Sequence, residues 1–307
     1  MEIDRQFLQR FEGGLNPQRI DLSAIPATIL GYGEISTIFR IEGHSRVAFK
    51  RMPLFSTLQS AEDYIGLYRE YTRRLESAGL RLPEHDAATV HVPGRPVVVY
   101  IAQECLPRDR FAHQLVQVLD DGACRRLIEQ VAGEASKVWD YNAAWAPDVE
   151  LALDGQISNW VRPGGDEDSS LVYVDTSTPF LRVAGAEQLD PEPLLKSAPG
   201  FLRWILRLLF LDDVMNRYYD PRQVFIDVAA NLYKEQRGEL IPAAIEIFNR
   251  YLPANLKTLT KADVERYYRE DKLIWTLFLA FRRLDCWLAT KLLRRRYEFI
   301  LPGKIVR

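Results

Sequence analysis

The sequence predicts an α+β protein: a small antiparallel sheet with one helix, followed by a larger and mostly helical part. Three observations carry this. Roughly the first hundred residues set short β-branched and aromatic runs between glycine and proline turns, most of the remainder repeats apolar residues at helical spacing, and residues 157–175 read as a hairpin.

Strands are predicted at residues 27–32, 36–41, 46–52, 88–92 and 96–103. The helix lies at 60–77, where Tyr64, Ile65, Leu67, Tyr68, Tyr71 and Leu75 follow the helical period and Gly79 supplies the stop. These elements make residues 1–103 one unit. Residues 104–307 form the second, with helices expected at 125–141, 199–218, 221–236, 240–251 and 261–296, whose aromatic residues are expected in a core.

Composition narrows the function classes. The chain has 307 residues, 47% hydrophobic and 27% charged, as in ordinary globular proteins, and its net charge of −2 gives no overall attraction to nucleic acid or to an anionic membrane. Cys105, Cys124 and Cys286 are odd in number and widely spaced, so neither a disulfide framework nor a zinc site is expected, and reduced thiols fit a cytoplasmic protein. The N-terminus has no basic region followed by an apolar run. The most apolar stretch, 201–211, carries Arg203 and Arg207 and suits a buried helix better than a membrane span. His44, His85, His91 and His113 show no i, i+3 or i, i+4 pairing, and there is no Gly-x-Ser-x-Gly elbow for hydrolase chemistry.

The chemistry concentrates in Asp154, Asn159 and Asp175. Residues 163–170 are turn-forming, and a hairpin centred near Glu167 makes Asn159 and Asp175 cross-strand neighbours, about 5 Å apart at Cβ. Asp154 sits one short loop earlier. Two carboxylates and an amide oxygen are hard donors suited to Mg²⁺, which keeps positions for phosphate oxygens. The plain alternative is an Asx-capped turn on a solvated hairpin.

A second group lies upstream. Gly31 and Gly33 bracket a strand-to-strand turn at which backbone N–H groups can meet phosphate, although taken alone an ordinary tight hairpin is the better explanation of them. Lys50 ends the apolar run Val47-Ala48-Phe49, and Glu70 on the following helix is placed to pair with it. The alternatives are a snorkelling lysine and a surface charge lattice of Glu70 with Arg73 and Arg74.

In that order these residues resemble the protein-kinase-like superfamily between Ala27 and Pro179. Gly31-Tyr32-Gly33 resembles the glycine-rich loop, Val47-Ala48-Phe49-Lys50 the V-A-x-K strand, Glu70 the partner glutamate, and Gln103-Glu104-Cys105-Leu106 the hinge that meets adenine. Asp154, Asn159 and Asp175 resemble the catalytic-loop Asp, its Asn, and the Asp of D-F-G. The pattern departs from the family at Ala152, where a His is usual, at Ser36, where the loop has its third glycine, and at Asp175-Thr176-Ser177 in place of D-F-G.

The helix-rich second unit is similar to the aminoglycoside phosphotransferase and choline kinase branch. The resemblance implies a bilobal fold and transfer of the γ-phosphate of ATP to a hydroxyl of a small molecule. It casts Asp154 as base, Lys50 and Glu70 as its catalytic partners, and Gly31, Gly33, Lys50, Glu104 and Leu106 as nucleotide contacts. Asn159 and Asp175 become Mg²⁺ ligands. A catalytically weak nucleotide-binding module and an AMP transferase remain open, and no nucleic-acid partner or membrane insertion is expected. The basic residues Lys291, Arg294, Arg295, Arg296, Lys304 and Arg307 read first as a solvated helix end, with RNA, acidic lipid or an acidic partner as alternatives. Asp212, Asp213 and Asp220 are candidates for an acidic acceptor patch.

Overall fold

The computed structural model describes residues 1–33, 35–164, 169–196, 200 and 211–302, with the side chains of 211–214 excepted. It is a mixed α and β protein built on a five-stranded antiparallel sheet. The strands are β1 (Ala27–Tyr32), β2 (Thr37–Ile41), β3 (Val47–Phe55), β4 (His85–Val90) and β5 (Val97–Glu104), in the order β1-β2-β3-β5-β4. All five predicted strands are present, with ends displaced by up to three residues.

Side-chain alternation splits the sheet between two cores. On β5, Val98, Tyr100 and Ala102 face one core while Val97, Val99 and Ile101 face the other. The same period on β3 sends Phe49 one way and Met52 the other. Lys50 is paired with Ile101 and Arg51 with Tyr100, so these two adjacent cations leave opposite faces of the sheet.

The first face is covered by α1 (Arg5–Gly14), a helix outside the predicted set. Asp4 caps it by accepting from the Phe7 amide at 2.9 Å, and Leu8, Phe11 and Leu15 bury against Phe39 and Tyr100. Signals for it are present in the sequence: an Asp before the period Phe7, Leu8, Phe11, and Gly13-Gly14 behind it. The second face is covered by α2 (Leu58–Ser77), capped by Thr57, which packs Tyr64, Tyr68, Tyr71 and Leu75 against the sheet.

Beyond β5 the chain forms α3 (Ala112–Val118), α4 (Asp121–Trp145), β6 (Val149–Leu151), the short hairpin β7 (Trp160–Val161) and β8 (Val172–Tyr173), then β9 (Leu181–Val183), β10 (Ala186–Glu187) and α5 (Glu192–Leu195). Next come α6 (Leu211–Tyr219), α7 (Pro221–Lys234), α8 (Ile241–Tyr251) and α9 (Lys261–Trp287). Their core is continuous with the α2 face of the sheet. At its centre Phe225 meets Trp139 edge-on at 4.8 Å and stacks on Phe248 at 4.6 Å.

The predicted helix at 199–218 falls mostly outside the described residues, as does Ala198-Pro199, and α6 is its described end. The helix expected to reach 296 ends at Trp287 and closes with a wider π turn at Leu288–Leu292. The short elements α3, β6, β9 and β10 are too brief to show a period. All three cysteines are free. Among the described residues no helix is long and apolar enough to cross a membrane.

The chain after α9 returns to the sheet. Arg296 donates to the Leu15 carbonyl at 2.9 Å, Gln18 donates to the Tyr297 carbonyl at 3.1 Å, and Ile300 joins the α1 core. Beneath this strap Arg51 is buried between Glu12 (2.7 Å) and Glu298 (2.9 Å).

Candidate functional site

The α2 face of β3 aims Lys50 at the segment that follows β8. Its Nζ lies 2.8 Å from Asp175 Oδ1 and 3.4 Å from Ser177 Oγ, and the Ser177 hydroxyl donates to the same carboxylate oxygen at 2.8 Å. Burial alone would raise the Asp175 pKa. The Lys50 charge, the Lys50 hydrogen bond and those from the Ser177 hydroxyl and backbone outweigh it and hold the carboxyl below its ordinary range.

Buried hydrogen bonds fix the backbone around this pair. Tyr64 donates to the Ser177 carbonyl at 2.6 Å, and the Gln103 amide donates to Val174 O at 3.1 Å and Thr176 Oγ1 at 3.2 Å. Sequence alone places Gln103 only at the edge of a hinge. Tyr64 and Ser177 carry no sequence signal as site residues, since a tyrosine on an apolar helix face looks like core and becomes a donor only once its partner carbonyl is located.

Asp154 and Asn159 belong to one tightly bonded loop. Asn159 Nδ2 donates to the Asp154 carbonyl at 3.0 Å, which commits the amide nitrogen and makes its oxygen the end suited to a cation. The Gln156 amide donates to Asp154 Oδ1 at 3.1 Å, and the Tyr71 hydroxyl donates to the Ala152 carbonyl at 2.7 Å. Tyr71 and Tyr173 are buried near both acids: burial first, then the charges of Asp175 and Asp154, push the Tyr71 phenol well above its ordinary pKa, and burial, then Tyr71, then the same two acids do so for Tyr173. From the other side Asn231 on α7 accepts from the Ile157 amide at 3.1 Å and donates to Asp227 at 3.2 Å. Gly155 meets α7 directly, where a Cβ would lie 2.5 Å from Val224 Cγ1.

The hairpin register differs from the expected one. Trp160 pairs with Tyr173 and Val161 with Val172, which sets Asn159 opposite Val174, whose amide donates to the Asn159 carbonyl at 3.0 Å. Asp175, the predicted partner, therefore lies one residue beyond the observed one. Residues 157–159 form a 3-10 turn where a strand was expected, and the Gly165–Asp168 part of the predicted turn lies outside the described residues.

Glu70 does not pair with Lys50. Its carboxylate is held by Arg73 at 2.8 Å and Arg74 at 2.5 Å on the outer side of α2, so the surface charge lattice is the arrangement adopted. Facing the sheet from α2 are Tyr64, Tyr68 and Tyr71, so the carboxylate that meets Lys50 is Asp175 itself.

Gly31 lies in β1 beside an irregularity between Ile29 and Gly31, and Gly33 donates its amide to the Ser36 carbonyl at 2.9 Å; Glu34 lies outside the described residues. Glu104 is exposed and spends its amide on the Glu84 carbonyl at 2.8 Å. Neither backbone group of Leu106 has a hydrogen-bond partner among the described residues.

Among the described residues no group of three or more His, Cys, Asp or Glu side chains is placed to hold a metal ion. The oxygen donors present are two acids and an amide, a set that fits a hard cation sharing its coordination with another ligand. A cleft of about 370 Å³ opens between α6, α7 and α9, lined by residues including Asn216, Arg217, Gln223, Arg266, Tyr267 and Glu270, and Tyr267 in that lining is within electrostatic reach of Asp154. Asp220, expected in an acidic patch, caps α7 by accepting from the Arg222 amide at 2.8 Å; the side chains of Asp212 and Asp213 lie outside the described residues. The cleft is mixed in charge.

A solved structure described as WaaP in complex with acyl carrier protein is similar to this chain at 14% identity, over 82% of this chain and 99% of that one, with a TM-score of 0.34. A likeness that distant supports no inference about function. No curated protein matches. A family model described as a family of unknown function, DUF6206, matches residues 23–286, and the chain belongs to that family.

Proposed function

We propose that this protein is an ATP- and Mg²⁺-dependent phosphotransferase of bilobal, kinase-like build, in which residues 1–103 and the helical remainder share one cleft and the acceptor is a hydroxyl of a small polar molecule. The observation that carries the reading is the Lys50–Asp175 ion pair at 2.8 Å, which joins the sheet to the hairpin segment next to the Asp154–Asn159 loop.

In this reading Lys50 neutralises nucleotide phosphate, and Leu106 offers its unused backbone groups to the base. Asp175 and Asn159 hold Mg²⁺, which when bound offsets phosphate charge. Asp154 orients the acceptor hydroxyl and takes its proton, while the mixed-charge cleft receives the rest of the acceptor. In such a reaction positioning and electrostatics carry the rate, more than any nucleophile of the protein's own. Glu70 has no role here.

A second reading, a nucleotide-binding module with little turnover, is favoured by one observation: Ala152 stands where a bracing His is usual, and its carbonyl is held by Tyr71 instead. The test separates the two. Wild type should gain several degrees of thermal stability with Mg-ATP at a hundredfold excess over its dissociation constant, and Lys50→Met and Asp175→Asn should lose that gain. Asp154→Asn should keep the gain and lose turnover with a pool of hydroxylated metabolites by roughly a hundredfold or more. Equal shifts in all four proteins would end the proposal; a shift without turnover in wild type would select the second reading.

A further inference from the structure

Helix α9 has two halves with different surroundings. As far as Asp271 it packs on α7: Tyr268 meets Tyr233 at 5.0 Å, and Lys234 pairs with Asp271 at 3.0 Å. Beyond that point its outer face is apolar and open to solvent. Leu273, Leu277, Ala280, Leu284 and Trp287 follow one another at steps of four, three, four and three, which sets them along one face. Four of them are large and exposed: Leu273 at 61%, Leu277 at 48%, Leu284 at 45% and Trp287 at 56%. Ile274 widens the stripe, and Leu292 and Leu293 extend it past the π turn.

The charge of this stretch is as unusual as its exposure. Residues 272–296 hold seven Lys and Arg against a single acid, Asp285, in a chain whose net charge is −2. Lys272 and Arg283 flank the stripe on one side. Lys291, Arg294 and Arg295 lie exposed at its end, where their side chains make no ion pair among the described residues.

We propose that this face of α9 is a docking surface for an anionic lipid bilayer, with the helix lying in the plane of the interface. An exposed stripe of Leu, Ile and Trp flanked by Lys and Arg is the chemistry that embeds at the boundary of headgroups and acyl chains, and Trp287 beside the arginine cluster stands at headgroup level. Charge complementarity selects this occupant. Arg282 is buried and Arg296 is paired with Glu298, so a second copy of the chain packed on the same face would set the five exposed cations Lys272, Arg283, Lys291, Arg294 and Arg295 against five. A nucleic acid would engage the cations and leave the stripe in water. The surface is independent of the phosphotransferase site and of its assignment.

The experiment is flotation of the full-length protein with vesicles of phosphatidylcholine alone or with about one-third phosphatidylglycerol, with folding checked by circular dichroism and association state by sedimentation. Wild type should float with the anionic vesicles only. Leu277→Glu with Leu284→Glu should lower partitioning at least tenfold, and Arg294→Gln should lower it about fivefold, the usual contribution of one basic residue near such a surface. All substituted positions are exposed, so the variants should fold and keep the association state of wild type. Four results would each overturn the proposal: no binding to anionic vesicles, equal binding to neutral ones, a lipid-free dimer abolished by Leu277→Glu, or RNA binding unaffected by the two glutamates.

Discussion

Asp227 lies buried on α7, two hydrogen bonds away from the Asp154 loop, through Asn231 to the Ile157 amide. Burial, opposed by Lys234 and reinforced by Asp271, raises its pKa to about 6. An unfolded aspartate titrates near about 3.9, so between those values the folded chain holds the extra proton. Stability from this group therefore falls as pH rises from about 4 to about 6, and the cost is complete above that. Asp227→Asn removes the titration. Its stability relative to wild type should rise across that window by on the order of 2 kcal/mol, read by urea denaturation at a series of pH values. A difference that stays flat with pH would sink the idea. Other residues show how far single positions are legible. Lys50 stands out because it ends an apolar run, yet its neighbour Arg51, more deeply buried and just as firmly paired, gives no such signal. Which face a strand residue takes depends on register, and the partner of Arg51 is 39 residues away on a helix outside the predicted set.

At the scale of elements, the contact between α7 and the Asp154 loop decides where the loop sits. Gly155 has room for no side chain there: a Cβ would meet Val224 Cγ1 at 2.5 Å and Val228 Cγ2 at 3.2 Å. Gly155→Ala should cost about 1–3 kcal/mol by overpacking, seen as a lower melting temperature, and Val224→Ala in the same chain should recover part of it. A single variant as stable as wild type would show that α7 yields freely. The five strands, α2, α4, α7 and α8 are legible because each is long enough to show its period. The hairpin is legible as an element but not in register, because its turn sequence does not fix which residues pair. Glu70 is misplaced for a related reason. On an exposed-to-buried boundary of a helix, one residue decides whether a side chain meets the sheet or its own surface neighbours.

For the molecule as a whole, the buried centre beneath the strap is the feature that no local pattern announces. Glu12 from α1 and Glu298 from the strap converge on Arg51, and Tyr100 donates to Glu12 at 2.5 Å. Burial alone would raise the Glu12 pKa, but Arg51 and Tyr100 hold it below the ordinary range. Glu12→Ala leaves Arg51 with one carboxylate where it had two, at a cost of about 3 kcal/mol or more. Chemical denaturation should report that loss, whereas a change below about 1 kcal/mol would mean that Glu298 suffices alone.

The same strap bears on motion. A plate fastened at one point swings in any direction, while one fastened at two turns only about the line that joins them. The chain itself passes between the sheet and the helices twice, in the segment leaving β5 and in residues 296–300 returning to α1. An opening about those two crossings that parts Lys50 from Asp175 has also to release Tyr64 from the Ser177 carbonyl and Gln103 from Val174, so the ion pair is latched as well as hinged.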